Sequence, residues 1–174
     1  MTTAITTKIP PAPKWDLESI FCGGSKSEDY KIHREKTKSG LGQAETMLKN
    51  LPATIDDSTL NNWVEFILKL QTLIEDIELV ISFAGCLSAQ NVEDSEADVI
   101  TTEGYVYYSL WQKLRTELEA RSLKLKDEEW QKLISDSRLS GLGFYLNELR
   151  DIAKSKMPVE QESLALELAV DGYH

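Results

Sequence analysis

The chain has 174 residues, with 29 acidic against 19 basic side chains and a formal charge of −10. This length suits one domain, able to bury roughly 70% of its unfolded surface without a disulfide or metal staple. The acidic balance excludes a nucleic-acid backbone as partner. The two cysteines, Cys22 and Cys86, lie outside any CxxC arrangement, as expected of buried or idle thiols in a reduced compartment. With no secretory h-region and no uncharged span, the chain reads as soluble, cytoplasmic and not bound to a membrane.

Residues 1–14 are rich in Thr and Pro and read as a flexible N-terminal arm, leaving 15–174 as the helical domain. The heptapeptide Trp15-Asp16-Leu17-Glu18-Ser19-Ile20-Phe21, closed by Cys22-Gly23-Gly24, forms one short turn in which Trp15, Leu17, Ile20 and Phe21 are expected to anchor the arm. Ser25 or Ser27 caps the first long helix, with Glu28 and Asp29 in its first turn where the macrodipole favours anions. Leu41, Ala44, Leu48 and Leu51 carry its apolar stripe, Gly40 and Gly42 lower its propensity and offer a place to kink, and Pro52 lies just past its end.

The element around which the domain is built runs from Leu60 to Ala84. Leu60, Trp63, Ile67, Leu70, Ile74, Ile77, Ile81 and Ala84 alternate spacings of three and four, a heptad seam. Val64, Leu68, Leu73, Leu79 and Val80 widen that face, so the helix needs neighbours on more than one side. At about 1.5 Å per residue it spans roughly 38 Å, the length of a central pillar. Its short connection to the first helix predicts an antiparallel hairpin.

Glu93-Asp94-Ser95-Glu96 marks a turn and a new helix start, and from Ile100 the third long helix places Ile100, Gly104, Tyr107, Trp111, Leu114 and Leu118 in register, with Gly104 offering close helix approach. Asp127-Glu128-Glu129 opens a fourth helix carrying Trp130, Leu133 and Ile134. After Ser140-Gly141-Leu142-Gly143, a fifth begins with Tyr145, Leu149 and Ile152, with Leu146 and Ala153 alongside. A last segment, Glu160 to Val170, follows Pro158 and carries Leu164, Leu168 and Ala169. The predicted class is all-α, an antiparallel bundle of about six helices, three of them long.

Catalytic chemistry is sparse. His33 and His174 belong to no His-Glu-x-x-His pair, so no metal-binding residue is assigned in this segment. Asp94-Ser95-Glu96-Ala97-Asp98 alternates acids like a calcium loop, but Val99 stands where Gly is required and Tyr105 where a bidentate Glu is required, leaving a solvated helix start. Cys22 has no His or cationic neighbour in sequence to activate it. Tyr105, Tyr107, Tyr108 and Trp111 cover more than one helical face, chiefly as core with part left as a contact surface. No catalytic, cofactor-binding or metal residue is therefore assigned.

Two stretches carry a resemblance. Trp15-Asp16-Leu17-Glu18-Ser19-Ile20-Phe21 is similar to the opening of oligoendopeptidase F, of the thimet-oligopeptidase-like zinc metallopeptidases. Phe144-Tyr145-Leu146-Asn147-Glu148-Leu149-Arg150, with Lys156 to Glu162 and Leu168 to His174, resembles the segment leading into that family's catalytic domain. The resemblance implies the N-terminal helical domain of a longer zinc endopeptidase that cleaves oligopeptides, cut before the chemistry and inactive alone. The family's zinc ligands, a His-Glu-x-x-His helix and a downstream Glu, match no position here. It also implies the domain's partners: its own catalytic domain, whose substrate cleft it walls, and oligopeptide substrates. An apolar interdomain face including Tyr173 and part of the Tyr105 to Trp111 group is expected to be exposed and to drive dimers of the fragment. The alternative from a different class is a free-standing helical adaptor that binds a protein in its grooves.

Overall fold

In the computed structural model, which describes residues 15–156, the regular structure consists of five α-helices and two single-turn 3-10 helices. No strand occurs among the described residues, so the fold class is all-α. The helices are α1 (Glu28–Lys49), α2 (Leu60–Gln90), α3 (Ser95–Ser122), α4 (Asp127–Ile134) and α5 (Gly143–Ser155). Three are long, as expected. The arm at 1–14 and the sixth segment, Glu160 to Val170, lie outside the described residues.

Local chemistry explains where the helices start. Ser27 Oγ accepts the Tyr30 N–H at 3.4 Å, with Glu28 and Asp29 in the first turn of α1. Asp56 organises the entry to α2, its Oδ1 accepting the backbone N–H groups of Ser58 at 2.8 Å and Thr59 at 3.0 Å. Its carbonyl takes the Leu60 N–H at 2.9 Å. Asp94 Oδ1 accepts the Ala97 N–H at 3.1 Å and so begins α3, five residues before Ile100, where the apolar pattern starts. The acidic stretch is thus the helix N-terminus expected of it. Glu129 ties α4 down twice, accepting from Lys126 N at 2.8 Å and from Ile55 N at 3.0 Å.

The consecutive long helices run antiparallel, whereas α1 and α3, which also pack together, run parallel, with Arg34 meeting Glu103 at one end and Leu51 meeting Arg121 at the other. From α1 to α2 the contacts pair Tyr30 with Val80, His33 with Asp76, Gly40 with Leu73 and Gln43 with Lys69. From α2 to α3 they pair Leu70 with Trp111, Ile81 with Gly104 and Ser88 with Asp98. The pillar α2 continues past Ala84, where its apolar seam ends, to Gln90. Of the heptad seam, Trp63, Ile67, Leu70, Ile77 and Ala84 are buried while Leu60, Ile74 and Ile81 are only partly covered. Of the positions that widen it, Val64, Leu73 and Val80 are buried, Leu68 is partly covered and Leu79 is exposed. Each fully buried side chain of this kind contributes about 1.5–3 kcal/mol. Two core clusters result, one joining the lower part of α2 to α1, α3, α4 and α5, the other joining its upper end to Leu17, Tyr30 and Ile100.

Several expectations need correction. α1 runs unbroken through Gly40 and Gly42. A Cβ at Gly40 would meet Leu73 Cδ2 at 2.9 Å, so this glycine serves close packing of α1 on α2. At the N-terminal turn only Leu17 and Phe21 pack inward; Trp15 is 82% exposed and Ile20 53%. In α5 the buried line is Leu146, Leu149, Arg150 and Ala153, whereas Tyr145 and Ile152 face outward. Gly104 does mark a close crossing, since a Cβ there would stand 2.6 Å from Ile81 Cγ1. No helix among the described residues is long and apolar enough to cross a membrane.

Candidate functional site

Two grooves flank α3. The first lies between α1 and α3 and has a volume of about 510 Å³. Leu41, Leu48 and Leu114 form its apolar floor, and Lys38, Lys49, Lys113, Arg121, Glu45 and Glu117 form its rim. Lys49 is paired with Glu45 at 3.0 Å, and Arg121 Nη1 donates to the Leu51 carbonyl at 3.1 Å. Lys113 also stands near enough to Glu45 to help lower its pKa, and with Lys38, Lys49, Lys113 and Arg121 against Glu45 and Glu117 the rim is cationic on a chain whose net charge is −10. Val99, Val106 and Leu110 extend it as an exposed apolar line along α3, because spacings of seven and four keep them on one face. This surface can hold an extended chain by apolar contact below and charge above.

The second groove, about 330 Å³, lies between α2, α3 and α5. Its walls are almost wholly apolar: Ile67 and Ile74 from α2, Trp111 and Leu118 from α3, Tyr145 and Leu149 from α5. Gln71 and Arg115 are its polar members.

The buried polar groups hold helices together. Tyr30, fully buried, donates its hydroxyl to the Val80 carbonyl at 2.5 Å. Burial raises its pKa well above the ordinary tyrosine value. Arg34 pairs with Glu103 at 2.5 Å, and Tyr107 donates to the same carboxylate. Burial first, and that bond second, push the Tyr107 hydroxyl up as well. Arg150, 5% exposed, donates Nε to the Ser122 carbonyl at 3.1 Å and Nη2 to the Leu125 carbonyl at 2.6 Å. It also pairs with Asp127 at 2.9 Å and stacks over Trp130. This knot joins α5 to the α3–α4 turn.

None of these clusters combines a nucleophile with a base. His33 Nε2 sits 3.2 Å from the Asp76 carbonyl and 3.9 Å from its carboxylate, a contact between α1 and α2. Among the described residues no three His, Cys, Asp or Glu side chains converge to hold a metal. Cys22 and Cys86 are both exposed, so of the two alternatives expected of them, buried or idle, burial does not hold. A hydrogen bond and the negative charge of Glu18 raise the Cys22 pKa, which disfavours the nucleophilic thiolate. The aromatic run divides: Tyr107 and Trp111 are buried, Tyr108 is half-buried and Tyr105 is 59% exposed. Tyr173 and His174 lie outside the described residues. Sequence reasoning missed Arg150; its only signal was an arginine four residues after Leu146 on the buried line of α5.

Residues 123–174 match the family model of the M3 peptidase N-terminal domain, described as Oligopeptidase F. No curated protein and no solved structure matches the chain. The matched region contains α4, the Arg150 knot and α5, together with the second stretch that carried the resemblance in the sequence. Over residues 123–174 the match supports similarity to the N-terminal domain of an oligoendopeptidase F-like protein, in agreement with that resemblance.

Proposed function

We propose that this chain is the N-terminal helical domain of a zinc oligoendopeptidase, walling the cleft in which oligopeptides are cut by the parent enzyme. The match over residues 123–174 carries this reading. The helices supply a stiff wall, and the α1–α3 groove is the face best suited to a peptide: its apolar floor takes side chains, and Lys38 and Lys113 attract carboxylates. The described residues do not converge into a zinc site, so no bond-breaking step is assigned to them. Zinc and its activated water belong to the catalytic domain. The chain's partners are then that domain and oligopeptides, in the cytoplasm, and the apolar line of Val99, Val106 and Leu110 is a candidate interdomain face that self-associates in the isolated chain.

Two measurements test this. The coding sequence downstream of codon 174 is expected to continue in frame to a His-Glu-x-x-His helix; a stop codon there would discard the peptidase reading in favour of the adaptor. The purified chain, incubated with zinc and mixed short peptides, is expected to leave them intact by mass spectrometry. Chelator-sensitive cleavage would overturn the assignment of chemistry to another domain.

A further inference from the structure

One wall of the α1–α3 groove holds a glycine that packing does not explain. Gly40 and Gly42 both lie inside α1, where glycine is less favourable than any residue but proline. Gly40 is accounted for, since its added Cβ would meet Leu73 Cδ2 at 2.9 Å, whereas an added Cβ at Gly42 meets nothing within 4 Å. Gly42 lines the groove, and its missing side chain leaves the space between Lys38 and Glu45, one turn to either side, open to solvent. On the α3 side of the groove Leu110 is 47% exposed. The charge around this opening runs against the rest of the molecule. The chain has 19 basic and 29 acidic side chains, yet the rim sets Lys38, Lys49, Lys113 and Arg121 against Glu45 and Glu117. Glu45 is already engaged by Lys49 at 3.0 Å.

We propose that this groove takes a short extended peptide with carboxylates on either side of apolar side chains, the apolar part lying over Gly42 against Leu41, Leu110 and Leu114. The inference rests on the reading of the chain as a peptide-handling domain and names the class of oligopeptide it selects. Length and charge both favour this occupant. From Lys38 to Lys49, and from Leu110 to Arg121, each wall runs about 16 Å, the span of about five extended residues. Lys38 stands toward one end and Lys49 with Arg121 toward the other, so carboxylates at both ends of the peptide meet opposite charge while its middle meets leucines. A basic peptide meets like charge at the same places. A second copy of the chain carries the same net charge of −10 and is repelled as it approaches.

The test titrates the full chain, labelled at its leucine and isoleucine methyls, with an acetylated and amidated peptide of leucines flanked at both ends by glutamate. The methyl signals of Leu41, Leu110 and Leu114 are expected to move saturably, while those of Ile74 and Leu149 in the other groove stay. The same peptide with lysine in place of glutamate is expected to bind at least about tenfold more weakly. Lys38→Gln/Lys113→Gln should weaken the acidic peptide about tenfold, two exposed ion pairs at about threefold each. Gly42→Glu favours the helix, fills the opening and sets a carboxylate four residues from Lys38; it should abolish the shifts with the far-UV circular dichroism unchanged. The proposal is overturned if the groove methyls stay still, if both peptides bind alike, or if Gly42→Glu binds as the parent chain does. Movement of the same methyls on raising the protein concentration without peptide would assign the groove to a second copy and overturn it too. Still methyls beside an in-frame His-Glu-x-x-His helix downstream would refute this site and leave the peptidase reading standing; saturable binding beside a stop codon would do the reverse.

Discussion

Replacing Gly104 by alanine adds one methyl group where α2 and α3 cross, and two opposing effects decide the outcome. Removing glycine from a helix interior stabilises by about 1 kcal/mol. The new Cβ, however, would lie 2.6 Å from Ile81 Cγ1 and 3.3 Å from Val80 Cγ1. Both neighbours are β-branched and stiff at χ1, so the helices must separate, at an overpacking cost of about 1–3 kcal/mol. The expected result is a net loss of about 1 kcal/mol, or a melting temperature lowered by roughly 2–4 °C for a chain of this size. Gly42→Ala provides the control, because nothing lies within 4 Å of its added Cβ. It receives the same helical gain without the collision, so urea unfolding followed by far-UV circular dichroism should separate the two variants by about 1–3 kcal/mol. Combining Gly104→Ala with Ile81→Ala removes the atom that is struck, and the pair should show a favourable coupling of about 1 kcal/mol. The reasoning fails if Gly104→Ala is as stable as Gly42→Ala, or if the double variant is simply additive.

Arg150→Met should destabilise by about 3 kcal/mol, because the Ser122 and Leu125 carbonyls lose buried donors, each worth roughly 1–3 kcal/mol; a urea-derived loss below about 1 kcal/mol would mean that water replaces the guanidinium. The exposed Asp127 partner contributes little to that sum. Alkaline pH should weaken the fold through Tyr30 and Tyr107, whose folded pKa values are raised by burial. Above about pH 10 the unfolded chain ionises these hydroxyls while the folded chain retains their protons, so unfolding is favoured as pH rises. Urea midpoints across that range should decline less steeply in Tyr30→Phe/Tyr107→Phe, and an unchanged slope would count against this origin.

The helical class and the three long helices were legible because an apolar period near 3.6 reports directly on a buried stripe, and capping residues such as Ser27 and Asp94 act within one turn. The close crossing at Gly104 was legible for the same reason, a missing side chain inside an otherwise large apolar line. Which faces would be covered was not. Tyr145 and Ile152 occupy helical positions as apolar as Leu146 and Ala153, yet only the latter pair is buried; the choice depends on where α5 docks, a property of distant residues. Gly40 reads locally as a residue of low helix propensity, and only the approach of Leu73 makes it a contact point. Arg150 is an ordinary charged residue until the α3–α4 turn presents two carbonyls to it. The sequence by itself therefore determined the elements and their apolar stripes, which follow from interactions within a turn or two of the chain. Only the tertiary structure decided the pairing of those stripes and the position of the grooves, because both arise from side chains tens of residues apart meeting in space.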